Sequence, residues 1–350
     1  MLNAVRLHAP RDLRLETSPA LVAPGPGQVR IRVGSVGVCG SDLHMYETGR
    51  IGNTVIKTPL VLGHEFGGLV LEAADGAIDA LGQPLAAGAR VAVDPAVPCR
   101  HCRQCEEGHP NLCPHHYFYG VWPDDGALRD EMLVESRNCF PVPASMSEPT
   151  VALLETLGVA VHSVDLGKLR VGDGVGVIGC GPVGLLLVRL ARLSGASPIL
   201  VWDKHPWRIA KAIALGADDG WLVSADGVPA GPQAPDLDVV FEAAWADSSV
   251  QHAADVVRPG GRLVLVGIPG DDRLYLSHGT ARRKGLTIRM ARRMKHTYPR
   301  AIALAQSGQI DLDDLVSHRF ALAKTPEAYA LNMRYPDGLL KAVVDCTAPA

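Results

Sequence analysis

What the chain lacks narrows the field first. It has no strong charge of either sign: 34 Lys and Arg face 37 Asp and Glu, a formal net charge of -3. That balance predicts no nucleic-acid partner and no anionic membrane surface. It has no long hydrophobic run either. The longest charge-free apolar stretch, Gly174–Val188, is rich in Gly and falls short of the ~18 residues a membrane span needs. Met1–Pro10 shows no secretory h-region, so the thiols are expected to be reduced and the protein cytoplasmic. Internal repeats and low-complexity tracts are absent. What remains is an ordinary globular composition, 47% hydrophobic and 20% charged over 350 residues, long enough for two domains with separate cores.

Cysteine, by contrast, is plentiful. Four of the eight stand at Cys99, Cys102, Cys105 and Cys113, spaced C-x2-C-x2-C-x7-C. Four thiolates this close suffice for one tetrahedral zinc. The competing reading is a pair of disulfides, but two-residue separations bridge only with distorted geometry. A closed four-sulfur site has no open coordination position. It staples a lobe and does no chemistry.

The first ~150 residues read as β-rich. Val29, Ile31 and Val33 alternate with Arg30 and Arg32, and Val91–Val93 and Phe66–Val70 are similar. Near Leu153 the rhythm changes. Short apolar runs at Gly174–Ile178, Pro198–Trp202, Asp238–Phe241 and Arg262–Gly267 alternate with helical stretches at Pro182–Leu193, Pro206–Leu215 and Ser248–Val257. Such alternation predicts an α/β fold with a doubly wound parallel sheet. After about Gly285 the pattern is mixed again, with helices near Pro299–Gln306 and Thr325–Met333, consistent with a tail returning to the first lobe.

Gly179-Cys180-Gly181-Pro182-Val183-Gly184 fits G-x-G-x-x-G. The context gives it force: an apolar strand before, an apolar helix after, and Asp203 ending the next strand. Gly179 permits the turn, Gly181 lets backbone approach a pyrophosphate, and Gly184 lets helix touch sheet. Helix-start N–H groups receive the phosphates, and Pro182 suits a position needing no N–H partner. Asp203 should accept both adenosine ribose hydroxyls and repel a 2′-phosphate, favouring NAD over NADP. Lys204 and Arg208 pull the other way. A glycine turn in an unliganded α/β domain is the competing reading.

A second constellation joins Cys39-Gly40-Ser41-Asp42-Leu43-His44 to Gly63-His64-Glu65. Thiolate, imidazole and carboxylate suit a zinc with one exchangeable position. Glu155 lies within the apolar run Val151–Leu157, where an acid is costly without a cation. It is either a further ligand or a group bonded to the metal's water.

With these motifs in order, the chain resembles the zinc-dependent medium-chain dehydrogenase/reductase family along nearly its whole length. The likeness is greatest to the polyol (sorbitol/L-iditol) dehydrogenase branch, with threonine dehydrogenases next. Pro123-Asp124-Asp125-Gly126, Ala152-Leu153-Leu154-Glu155, the Arg293–Pro299 segment and Ser317-His318-Arg319-Phe320 carry it. The resemblance implies a GroES-like catalytic domain over 1–152 and 287–350, with the structural-zinc lobe at about 95–115, and a Rossmann NAD-binding domain over 153–286. It implies two zinc ions per chain. Cys39, His64, Glu65 and Glu155 would serve the catalytic ion, and Cys99, Cys102, Cys105 and Cys113 the structural one. Asp42 would orient His64, while Ser41 and His44 would relay the alcohol proton. Gly179, Gly181, Pro182, Val183, Gly184, Asp203, Lys204, Arg208, Val266 and Ile268 would bind the dinucleotide. A homodimer or homotetramer is implied, through the strand near Leu263–Gly267 and its neighbours.

The implied reaction is reversible NAD-linked oxidation of a secondary alcohol to a ketone. Pocket positions carried over are Ser41, Phe118, Glu155 and Arg293. Met45, Val121 and Met294 depart from the sorbitol-type pattern by losing hydroxyl groups, so discrimination among extended polyols should be poor. A cyclitol or sugar derivative is then as open as a polyol. The basic run through Arg282, Arg283, Lys284, Arg289, Arg292, Arg293 and Lys295 could instead seat a sugar phosphate or hydroxy acid. Two other classes compete: a zinc-free quinone-reductase relative, which would lack both ligand sets, and a non-enzymatic NAD-sensing module.

Overall fold

The computed structural model describes residues 1–348 apart from 233, 234, 245 and 271. Its contacts divide the chain into two units, Met1–Glu155 with Tyr298–Ala350, and Thr156–Thr297. The return to the first unit therefore falls at Tyr298 and not at 287. The reason is local. Thr287–Met290 adds a parallel strand to the second unit's sheet, and Thr297 Oγ1 donates to the Gly158 carbonyl at 2.8 Å.

The first unit is built on a seven-stranded sheet. Alternating apolar residues bury one face of Gln28–Gly37, which pairs antiparallel with Glu65–Ala73, Glu131–Glu135 and Lys341–Asp345. Arg90–Val93 and Cys139–Pro141 extend the sheet on one side and Val316–Ala321 on the other. The C-terminal strand thus lies inside the sheet, between Gln28–Gly37 and Val316–Ala321. The expected tail return is present.

The second unit holds a six-stranded parallel sheet in the order Asp219–Leu222, Ile199–Asp203, Val175–Ile178, Leu237–Glu242, Val257–Leu265, Thr287–Met290. Val175–Ile178 and Ile199–Asp203 are buried throughout, as strands covered on both faces must be. Strand order reverses between Val175–Ile178 and Leu237–Glu242, the switch point where such sheets bind ligands. The strand Val257–Leu265 is flanked on both sides, and its neighbour Thr287–Met290 forms one of the sheet's two edges, exposed at all four residues.

Among the described residues one helix, Glu148–Gly167, is long and apolar enough to cross a membrane by composition, yet 72% of its apolar window is buried inside the fold. It is a core helix, and it carries Glu155.

Candidate functional site

Cys99, Cys102, Cys105 and Cys113 bring their sulfurs within 4.8 Å of one another. Cys102 caps the short helix Arg103–Glu106, and its sulfur lies 3.6 Å from that of Cys105 and 3.8 Å from that of Cys113. No disulfide joins them, so the bridged alternative falls. The backbone N–H of His101 helps pull the Cys99 thiol down to about 6, whereas desolvation beside the other sulfurs pushes Cys105 up to about 12, so the four sulfurs do not all ionise together without a cation. Four sulfurs and no gap fit a structural zinc.

The second cluster is assembled from distant segments. Cys39 stands at the start of helix Gly40–Thr48, one residue beyond the strand Gln28–Gly37. Gly63, with a φ of 95°, turns the chain so that His64 and Glu65 open the neighbouring strand. Cys39, His64 and Glu65 place their ligand atoms within 4.8 Å of one another. Asp42, fully buried, accepts from the Cys39 backbone N–H at 3.1 Å. Its other oxygen lies 3.1 Å from His64 Nδ1. A carboxylate only accepts, so Nδ1 carries the proton and Nε2 is left for a metal. Burial disfavours a charge on His64, but Asp42 and Cys39 outweigh it and raise its pKa well above the ordinary value. The cluster attracts positive charge.

Glu65 Oε2 is buried without a hydrogen-bond partner. A β-carbon at Gly37 would fall 1.9 Å from that oxygen, so glycine there makes room for the carboxylate. An orphaned acid beside a thiol and an imidazole fits zinc. The other Glu65 oxygen accepts from Lys341 Nζ at 2.6 Å. Sequence reasoning missed Lys341, although a lysine inside the apolar run Leu339–Val344 carries the same warning as Glu155: a buried charge demands a partner. Burial opposes its charge, yet Glu65 and Cys39 raise its pKa above the ordinary value. Glu155 stands outside the trio, 6% exposed. Burial, reinforced by Glu65, pushes its carboxyl up to about 8 against His64 and Lys341.

Ser41 Oγ lies 3.3 Å from His64 Nε2, and His44 follows three residues on along the helix. Phe118 packs against His64 with ring centroids 5.4 Å apart. The Pro123–Gly126 segment explains that placement. Asp124 accepts from the Phe118 N–H at 3.0 Å, and Asp125 accepts from Arg6 and from the Val61 N–H. Met45, by contrast, is fully enclosed in the apolar core, and Val121 packs at its margin. Arg293 and Met294 belong to the other unit, where Arg293 has a φ of 55°. Met294 is buried, and its sulfur sits 2.8 Å from where a Gly158 β-carbon would be.

In the second unit Gly179 has a φ of 92°, and Gly184 is pressed so close that a β-carbon would fall 1.8 Å from the Gly179 carbonyl oxygen. At Gly181 the space is open except for an Arg208 nitrogen at 4.0 Å. Asp203 accepts from the Cys180 N–H at 2.7 Å and from the His205 N–H at 2.8 Å. Arg208 lies over the Trp207 ring at 5.0 Å, and Lys204 is exposed. Beyond the fifth strand, Val266 and Gly267 donate to the Glu242 carbonyl, and Ile268 is 43% exposed.

Residues 25–144 match the alcohol dehydrogenase GroES-like domain, and residues 182–307 match the zinc-binding dehydrogenase domain. The chain is 35% identical over 348 residues to sorbitol dehydrogenase of Macaca fascicularis, covering 97% of this chain and 94% of that one. It belongs to the zinc-binding alcohol dehydrogenase family. Among solved structures, L-idonate 5-dehydrogenase from Escherichia coli superposes with a TM-score of 0.87 at 27% identity, covering 98% of each chain. An alcohol dehydrogenase from E. coli CFT073, solved with NADH, superposes at 0.85 with 26% identity over 98% of this chain and 99% of that one. The family placement makes this chain a zinc-dependent dehydrogenase of the alcohol or polyol type, which excludes the quinone-reductase and sensor readings.

Proposed function

We propose that this dehydrogenase oxidises a secondary hydroxyl of a neutral polyhydroxylated substrate, a polyol, cyclitol or sugar derivative, to the ketone, reversibly, with NAD as hydride acceptor. The Cys39, His64 and Glu65 trio, half-buried at the thiol and buried at the other two, carries the reading. Zinc held there supplies a Lewis acid that acidifies a hydroxyl at neutral pH. The chain does the rest. Asp42 fixes the His64 ring, Ser41 and His44 offer a hydroxyl and an imidazole to carry the released proton, and Phe118 walls one side.

Asp203 supports NAD over NADP, because its carboxylate would meet a 2′-phosphate with like charge. A neutral substrate is favoured because part of the basic run is already engaged. Lys284 Nζ donates to the carbonyls of Ala254, Asp255 and Val257, closing the end of helix Ser249–Val256. A second copy would pair at the exposed edge Thr287–Met290, giving the homodimer or homotetramer implied above, and the reduced thiols suit the cytoplasm.

The test is absorbance at 340 nm with NAD or NADP across polyols, cyclitols, aldonates, amino alcohols and simple alcohols. Reduction of NAD by the neutral polyhydroxy compounds is expected. Preference for aldonates, the substrate class of the L-idonate enzyme, or for NADP would overturn the assignment.

A further inference from the structure

We propose that Lys341 is a positioning residue of the catalytic metal centre: its ammonium engages one Glu65 oxygen and leaves the other for the ion. The inference rests on the zinc reading above. Lys341 is 3% exposed, and lysines are almost never buried so deeply unless paired. Its nitrogen makes two contacts. One is the Glu65 oxygen at 2.6 Å; the other is the Val38 carbonyl at 3.0 Å. Val38 directly precedes the ligand Cys39, and Glu65 directly follows the ligand His64. One ammonium therefore ties together the two segments that supply all three donors.

The backbone reinforces the tie. Val38 N–H donates to the Ala342 carbonyl at 3.0 Å, and Val343 pairs with Gly37 in the sheet. Gly37 in turn leaves the space that Glu65 Oε2 occupies. With Oε1 held by Lys341 and Oε2 unpartnered, the carboxylate is presented one oxygen forward. Removing the ammonium frees it to rotate, and leaves two anionic ligands mutually repelling across the centre. A residue bonded to a metal's ligand in this way commonly contributes about 10- to 100-fold to metal affinity or activity.

The test compares wild type, K341M and K341R for zinc content, rate of zinc release to a chelator, melting temperature and the visible spectrum of the cobalt-substituted protein. Wild type is expected to hold two zinc ions. K341M should release one of them at least about tenfold faster and shift the cobalt spectrum, while the four-cysteine zinc stays bound and a cooperative melting transition shows the sheet still folded. K341R should restore slow release. If K341M does not fold, K341Q takes its place, since it removes the charge while keeping a hydrogen-bond donor. Wild-type release and spectrum in the neutral variant would overturn the proposal. A lowered melting temperature alone, with zinc unchanged, would also overturn it, by making Lys341 purely structural. Wild type holding a single zinc would instead remove the metal reading itself.

Discussion

The two sulfur-bearing centres of this chain are assembled in opposite ways. The four-cysteine lobe takes every ligand from one short loop between Cys99 and Cys113, partly exposed to solvent. The Cys39 centre draws on a helix start, a neighbouring strand and the final strand of the chain, and His64, Glu65 and Lys341 are all buried. The first can form wherever its loop closes. The second exists only if the whole sheet is in register. A local cluster is thus suited to fixing a lobe, and a dispersed one to placing a reactive ion within an ordered surround.

The sharpest break between them comes from removing ligands. C39A or H64A should lose one zinc and at least about a thousandfold in turnover, while binding of NAD, measured calorimetrically, stays intact. Retained turnover would contradict the ligand assignment. C102S should do the reverse. The other zinc is lost and the melting temperature falls by about 10 °C, as scanning calorimetry would register; an unmoved transition would count against a structural ion. D42N leaves all three ligands in place but weakens the hold on His64 Nδ1. It should cost about 10- to 100-fold in zinc affinity or kcat, and equality with wild type in both would exclude an orienting role.

The smallest effect lies away from both centres and serves as a control. Burial lowers the pKa of His252 to about 4, against Trp202 at a centroid distance of 5.1 Å. Between pH 6.5 and 4 the unfolded chain binds a proton that the folded chain refuses, so stability falls as pH drops through that window. H252F should flatten this slope slightly in melting curves and leave both zinc sites alone. A slope identical to wild type would show that His252 is protonated when folded.

The difference in assembly also decides what could be read beforehand. The four-cysteine lobe was legible from spacing because its ligands are sequence neighbours. The glycine turn and Asp203 were legible because strand, turn and helix are consecutive. Cys39, His64 and Glu65 were recognisable as ligand types, but their convergence depends on antiparallel pairing of Gln28–Gly37 with Glu65–Ala73. Lys341 stands out as a charge in an apolar run but does not reveal its partner, which is 276 positions away. The strands Asp219–Leu222 and Thr287–Met290 are hard to read for another reason: each is only four residues long at a border of the sheet, too short for its apolar pattern to stand out. Lys284 read as one member of a basic face, yet it spends its three donors on backbone carbonyls. Composition does not distinguish a solvated lysine from one closing a helix.

The strand Lys341–Asp345 lies inside its sheet, not at the border, and that has a consequence for synthesis. A nascent chain emerging from the ribosome has the Thr156–Thr297 unit complete well before the last of the strands that pair with Gln28–Gly37 has been translated. The middle of the polypeptide can settle first. The amino-terminal portion must wait with an open β-edge until the final stretch arrives, and a message truncated shortly before Lys341 would yield a nucleotide-binding body joined to an unfinished half.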